Sequence, residues 1–455
     1  MRTLRSAHLV GIGGAGMSGI ARLLLARGVV VSGSDLKEAA GLAALRAAGA
    51  QIRIGHRADY VGEPDAVVVS TAIPARNVEV RAAQARRIPI LSRAQVLAAL
   101  MQEHRGIAIA GTHGKTTTTS MLAVVLERAG ADPTYVIGGD LNESGSNARS
   151  GAGEYFVAEA DESDGSFLLL SPEIAVVTNV EEEHHDFYAN REEVEDAFVE
   201  FCTRAELAVA SGDDDGARRV LARSGVRAVT YGETDECDVR ISGIDVARAG
   251  GRCRVDGLGK QLDLSIRLPG RHYLHNAVAA IIAAREAGVP PNEAARILEQ
   301  FAGVHRRFEE RGTARGAEFV DDYAHHPTEI AATLAAARSD GDRRVWAVFQ
   351  PHRYSRTAAL WRGLGESLAA ADVVVVTDVY PAGEAPIPGV SGKLVVDALV
   401  ELVPGRRVVY LPHRIDVARF LAGSVRAGDL VLTLGAGDIT MVGEETIARL
   451  DATGR

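Results

Sequence analysis

Short apolar runs alternate with Ala- and Leu-rich stretches of helical character from one end of the chain to the other. That alternation predicts parallel α/β domains, in which each buried strand is followed by a crossover helix. Three such blocks follow one another. In the first, strands are predicted near residues 8–12, 29–33, 66–70 and 88–91, with helices at about 17–27 and 41–48, and the block ends near residue 101. The second opens with a strand at 106–110 that runs into a helix from about residue 116. It continues through strands at 155–158 and 174–178, a Gly- and charge-rich β-like stretch over 229–268 and a helix over 275–287, and ends near residue 307. The third starts around residue 309, with strands at 318–320, 345–349, 373–377, 408–411 and 430–434 and helices between them. No internal repeat or low-complexity linker interrupts the pattern. A chain of 455 residues has room for two to four domains of this kind, each with its own core.

Composition narrows the function. Aromatics make up only 5% of residues, so the cores are expected to be Val/Leu/Ala-rich. A net charge of −10, with no basic run carrying interleaved aromatics, argues against nucleic acid and for small-molecule partners. Cys202, Cys237 and Cys253 are odd in number and fit no metal or redox spacing, which suggests reduced thiols. Glycines break the apolar stretch at the N-terminus, so a nucleotide-binding strand–turn–helix explains it better than a signal peptide. No apolar run approaches the ~20 residues of a membrane span. A soluble cytoplasmic protein without membrane insertion is expected.

Residues 108–119, AIAGTHGKTTTT, have the chemistry of a phosphate loop. Backbone amides around Gly111 and Gly114 can cradle phosphate oxygens, the Lys115 ammonium can reach the β- and γ-phosphates, and the Thr116 hydroxyl suits Mg²⁺. The generic pattern would put its first glycine at position 109, where Ile109 stands, so the loop is a shortened variant. The chain has four lysines, Lys37, Lys115, Lys260 and Lys393, among 50 basic residues, and one of them falls here. We expect Lys115 on an exposed loop, where its removal would leave the fold intact.

Upstream, Gly11-x-Gly13-x-x-Gly16 follows a strand, and Asp35 ends the next one. Taken alone this reads as NAD binding, yet the physics asks only for a diphosphate at a helix N-terminus, and a UDP-sugar supplies one. Asp35 has a ribose hydroxyl or a nearby backbone amide as partners. After residues 155–158 come Glu159, Asp161, Glu162 and Asp164, where an α/β ATPase carries a metal-binding acid. For Asp161, Glu162 and Asp164 taken singly, a solvated acidic loop is the preferred reading. Asn179 opens a turn that reaches His184, His185 and Asp186, with carboxylates able to meet a second Mg²⁺ or the transferring phosphate. Arg271, Arg306 and Arg307 sit near block edges, fit either to hold phosphate charge across a cleft or to form boundary salt bridges. Two polar turns after strands, residues 321–327 and 350–356, suggest anion and carboxylate recognition, with Pro327 suited to a helix's first turn.

In this order the motifs GIGGAGMSGIA, GTHGKTTTT, EADESD, Asn-x-Glu with its following His and Asp, Arg-Arg-Phe-Glu, DDYAHHPTE and FQPHRYSRT resemble the Mur ligase family, the ATP-dependent amino-acid ligases of peptidoglycan precursor synthesis. The resemblance implies three α/β domains. Residues 1–101 would be a Rossmann-like UDP-sugar domain, 102–307 a P-loop ATPase-like ATP domain, and 308–455 a Rossmann-like amino-acid domain. It implies the UDP-sugar on Gly11, Gly13, Gly14, Gly16, Asp35, Ser70 and Thr71. It implies ATP on Gly111, Thr112, His113, Gly114, Lys115, Thr116, Thr117, Asn276 and Arg307, and Mg²⁺ on Thr116, Glu159 and His184. Tyr323, His325, Arg353 and Arg356 would meet the amino acid and the acyl phosphate, with Lys115, Arg307 and Asp322 completing the catalytic set.

His113 is typical of the alanine-adding branch, where other branches carry Asn. That branch also lacks the carbamoylated lysine of most relatives, and no lysine occurs between Lys115 and Lys260. UDP-N-acetylmuramate and L-alanine are the implied substrates, in a monomer or homodimer. Tyr273 departs from the family's Asn at that position, and His185 competes with His184 for the metal role. A recycling ligase that attaches a preformed peptide, an NAD-dependent oxidoreductase and an NTP-driven switch are the alternatives. The second leaves the phosphate loop idle, and the third leaves the His/Arg turns unexplained.

Overall fold

The computed structural model describes residues 4–38, 40–183, 187–339, 341 and 343–452. Among the described residues the strands form three sheets, one after another along the chain. The first holds five parallel strands in the order Gln51–Ile54, Val30–Asp35, Ser6–Val10, Ala66–Val69, Ile90–Ser92. The order reverses between Ser6–Val10 and Ala66–Val69, so a crevice opens at their C-terminal ends, the usual ligand position in such sheets. Gly11 (φ 75°) turns the chain there, which ends the strand earlier than residue 12 and lets the helix Ala15–Ala26 start before residue 17. Two helices beyond the sequence expectation, Val78–Ala85 and Arg93–Met101, complete this Rossmann-like block.

The second sheet has ten strands, and its middle is parallel: Leu207–Ser211, Ile174–Val177, Arg105–Ala110 and Tyr155–Glu159 lie side by side. Buried on both faces, these strands are apolar at nearly every position. The β-like stretch becomes the antiparallel strands Val239–Ala247, Gly250–Asp256 and Leu262–Ile266, whose last member alternates buried and exposed residues as a one-sided edge must. One face packs the phosphate-loop helix Lys115–Arg128 against Arg271–Glu286; the first buries threonines and a serine in its opening turns and apolar residues from Met121 on, the second an almost wholly apolar side. The latter helix starts ahead of residue 275 because Gly270 (φ 132°) redirects the chain into it. The other face shares one core with the first block: Leu9, Ile20, Leu24 and Leu97 join Val136, Phe156, Val177 and Phe198 in a single cluster.

The third sheet runs Glu309–Ala314, Ala317–Asp322, Leu430–Leu434, Val345–Phe349, Val373–Val376, Arg407–Tyr410, parallel after an antiparallel first pair. It is Rossmann-like, with separate apolar clusters on its two faces. No described helix is long and apolar enough to cross a membrane.

Candidate active site

Strand Arg105–Ala110 delivers the loop to the centre of the second sheet. Gly111 (φ 135°) would bring a Cβ within 2.0 Å of Thr178 Oγ1, and Gly114 (φ 81°) would bring one within 2.6 Å of Asn276 Oδ1. Both glycines are therefore required by backbone sign and by close neighbours. Thr112 N donates to Asn179 O (3.1 Å) and His113 N to Asn179 Oδ1 (2.8 Å), so the Asn179 turn braces the loop. Thr117 is the third residue of the helix Lys115–Arg128, in its first turn, and is buried.

Lys115 corrects the expectation of an exposed loop cation. It is the first residue of its helix with a side chain 13% exposed, its Nζ donating to Gly111 O (2.5 Å) and pairing with Glu162 (2.9 Å). Glu162 is not a solvated acid: its side chain is 1% exposed. Asp161 is half-buried. Burial works against its charge, but Lys115, the Ser163 amide and Arg93 together outweigh this and hold its carboxyl low. Asp164 caps Ser166 N (3.0 Å). Glu159 accepts from Thr116 Oγ1 (3.1 Å) and Gly138 N (2.8 Å), and burial pushes its carboxyl up. Those two oxygen donors stand where the resemblance puts a divalent cation. His184 and His185, with Asp186, lie outside the described residues.

The third block closes over this loop. Glu329, third residue of the helix Pro327–Ala337, accepts from His325 N (3.0 Å) while its other oxygen faces His113 (3.4 Å) and Arg307 (3.6 Å). Burial is outweighed by the histidines and the arginine around it, and its carboxyl is held well below the usual range. His113 reciprocates: burial would lower it, yet Glu181 and Glu329 raise it to about 10, so it is an imidazolium at neutral pH. Asp322 accepts from Phe308 N (2.9 Å) and Ala324 N (2.8 Å), and burial pushes it up to about 6. Sequence reasoning assigned no role to Glu329 although it lies in DDYAHHPTE. The available signal was its spacing, a capping-box acid three residues after His326.

Between loop and helix lies a cavity of about 640 Å³, lined by His113, Gly114, Asn276, Arg307, Asp322 and Glu329 among others, a size that suits a nucleotide. Tyr273 also lines it and is buried. The boundary arginines differ. Arg307 faces this cavity, whereas Arg306 forms a salt bridge to the fully buried Asp321 (2.9 Å). Farther into the third block, Tyr323, His325 and His352 form a ring chain with centroids 5.4 and 5.8 Å apart. Burial, aided by Arg356, pushes His325 down to about 4. Arg356 pairs with Glu183 of the second block (2.7 Å), and Arg353 (φ 68°) begins the helix Tyr354–Leu368. Thr328 Oγ1 donates to Glu181 (2.8 Å), a second tie across the cleft.

In the first block, Asp35 Oδ2 accepts from Gly13 N (2.8 Å), the backbone-amide alternative. Gly14 and Gly16 lead into the helix, and Ile73 packs on Gly11. Ser70 is half-buried and Thr71 exposed at the end of the adjacent strand.

Comparison with known proteins places the chain in a family. The model of the Mur ligase family catalytic domain matches residues 6–105, that of the Mur ligase middle domain 109–284, and that of the Mur ligase glutamate ligase domain 306–437. UDP-N-acetylmuramate–L-alanine ligase of Saccharopolyspora erythraea is 50% identical, over 98% of this chain and 94% of the relative. The enzyme of the same name from Desulforamulus reducens is 46% identical, over 98% of each. Among solved structures, UDP-N-acetylmuramate–alanine ligase from Thermotoga maritima superposes with a TM-score of 0.84 at 31% identity, covering 98% of this chain and 99% of that one. A murein peptide ligase from Psychrobacter arcticus gives 0.73 at 25%, covering 98% of each. Matched in all three blocks and 50% identical to a relative nearly end to end, the chain belongs to the Mur ligase family.

Proposed function

We infer that the protein is an ATP-dependent carboxylate–amine ligase of peptidoglycan precursor synthesis, joining L-alanine to the lactyl carboxylate of UDP-N-acetylmuramate. The observation that carries this is 50% identity, over 98% of the chain, with a ligase of that name. A carboxylate is a poor acyl donor, so ATP first converts it to an acyl phosphate, which the amine attacks; ADP, phosphate and the amide leave. Lys115 and the loop amides offset charge on the transferring phosphoryl group. Arg307 and Asp322 complete the ATP site from across the cleft, with Asn276 beside the nucleotide. The Thr116 hydroxyl and the Glu159 carboxylate lie 3.1 Å apart and offer two hard oxygen atoms of the kind Mg²⁺ takes, which fits Mg²⁺. Bound there, Mg²⁺ supplies further neutralisation of phosphate charge.

The glycines of the first block hold the UDP-sugar diphosphate, so residues 1–101, 102–307 and 308–455 act as sugar-nucleotide, ATP and amino-acid domains. Arg353 and Arg356 receive the amino acid's carboxylate. His325, in the ring chain with Tyr323 and His352, stands beside Arg356 on the amino-acid side. Closure of the third block over the loop keeps water from the acyl phosphate.

The test is phosphate release with ATP and UDP-N-acetylmuramate, screened across single amino acids and short peptides. Brisk release with L-alanine is expected. Brisk release with a tripeptide and negligible release with L-alanine would replace this acceptor by a preformed peptide.

A further inference from the structure

Arg93 is the first residue of the helix Arg93–Met101, and its place is fixed by a capping box: Ser92 Oγ accepts from Gln95 N (3.1 Å) while Gln95 Oε1 accepts from Ser92 N (2.8 Å). The strand before it, Ile90–Ser92, pairs with Ala66–Val69, which pairs with Ser6–Val10. The glycine loop, Ser70 and Arg93 therefore stand at the C-terminal ends of three neighbouring strands, side by side along one rim of the sheet.

The Arg93 side chain crosses the glycine loop itself. A Cβ built on Gly16 would lie 2.3 Å from Arg93 Nη1 and 3.0 Å from its Cδ. Gly16 is the second residue of the helix Ala15–Ala26, so the guanidinium rests on the first turn, where backbone amides point outward. Among the described residues Arg93 enters no ion pair within 4 Å, and its charge is felt by Asp161 of the acidic loop beside Lys115. A planar, permanently charged fork over an anion-binding helix terminus matches a diphosphate better than any other group on the page.

We propose that Arg93 is a ligand of the sugar nucleotide's diphosphate, adding its guanidinium to the glycine amides at the start of the helix Ala15–Ala26. This rests on the reading of the first block given above. It also gives Gly16 a second reason to be glycine: the guanidinium needs the room as much as the phosphate does. Ser92 and Gln95 then act as positioning residues through Arg93.

The test is calorimetric binding of UDP-N-acetylmuramate, UDP-N-acetylglucosamine and UDP to the full-length wild type, Arg93→Met and Arg93→Lys, without ATP. Arg93→Met keeps most of the stem and loses the charge. About tenfold or greater weakening is expected for all three ligands, partly recovered in Arg93→Lys, with binding of a non-hydrolysable ATP analogue within twofold of wild type as proof of an intact fold. Weakening confined to UDP-N-acetylmuramate would assign Arg93 to the lactyl carboxylate and overturn the proposal. Equal binding by wild type and Arg93→Met would also overturn it, leaving the functional reading untouched. A wild type that binds none of the three UDP ligands would overturn that reading, and this proposal with it.

Discussion

Lys115 has a structural duty as well as a chemical one, because its ammonium faces a carboxylate, Glu162, that solvent barely reaches. Lys115→Ala is expected to lower turnover more than ~10²-fold, the usual loss for a charge aimed at a transferring phosphoryl group. It should also destabilise the protein by about 3 kcal/mol, since removing one partner of a buried pair strands the other. Adding Glu162→Gln should restore part of the stability and none of the activity. A single variant as stable as wild type would refute the structural duty.

His113 makes a second residue-scale prediction. Its folded pKa is raised from 6.5 to about 10, so its contribution to stability is fully present below pH 6.5 and is lost as pH rises towards 10. Denaturant midpoints of wild type should fall across that window relative to His113→Asn. Parallel curves for the two proteins would show that the Glu181 and Glu329 contacts do not stabilise the imidazolium.

At the scale of elements, the phosphate loop is held by two glycines that differ from a left-handed glycine such as Gly130 in what surrounds them. Gly130 (φ 84°) also has the backbone sign glycine favours, but no atom lies within 4 Å of its would-be Cβ, whereas Gly111 meets Thr178 at 2.0 Å. Gly130→Ala should cost about 1 kcal/mol through backbone strain alone. Gly111→Ala should in addition displace the loop and abolish binding of an ATP analogue, and retention of that binding would contradict the geometry.

Elements of this kind were legible in sequence because their information is local. A strand, two glycines, Lys115 and a helix follow one another within the segment 106–128, and Pro327 stands at a helix start. The helix 191–203 was harder, its buried apolar face of Val194, Ala197, Phe198, Phe201 and Cys202 set amid five acids. Glu329, Glu183 and Glu162 were illegible as site residues. Each gains its meaning from a partner more than 20 residues away; the capping-box spacing of Glu329 marks a helix start, and no local pattern tells that any of the three faces a buried cation.

Across the whole molecule, contacts between second and third blocks are mostly carboxylates meeting cations or hydroxyls, and such ties can open and close. Arg248, on the strand-rich rim of the second block, pairs with Glu318 of the third, away from the chemistry. Arg248→Ala is expected to weaken ATP binding about fivefold, as the loss of about 1 kcal/mol from the closed arrangement would, with UDP-sugar binding unchanged. Calorimetry showing equal ATP affinity would remove that pair from any account of closure.

The core shared by the first block and the second sheet has a consequence for inheritance. Helix Ala15–Ala26 buries Ile20 and Leu24 in the same cluster as Val136 and Phe156, so its apolar face is half of a fitted joint. The third block keeps its own two apolar clusters and meets its neighbour through polar groups and one shared apolar residue, Phe308, at the boundary. Exchange between family members is therefore asymmetric. A graft of a foreign C-terminal segment after residue 305 should yield a soluble protein, whereas a foreign N-terminal segment ending at residue 105 should aggregate unless Val136, Ala148 and Phe156 travel with it. Recombination along this lineage would leave the amino-acid end free to diversify and keep the first two blocks together as one heritable unit.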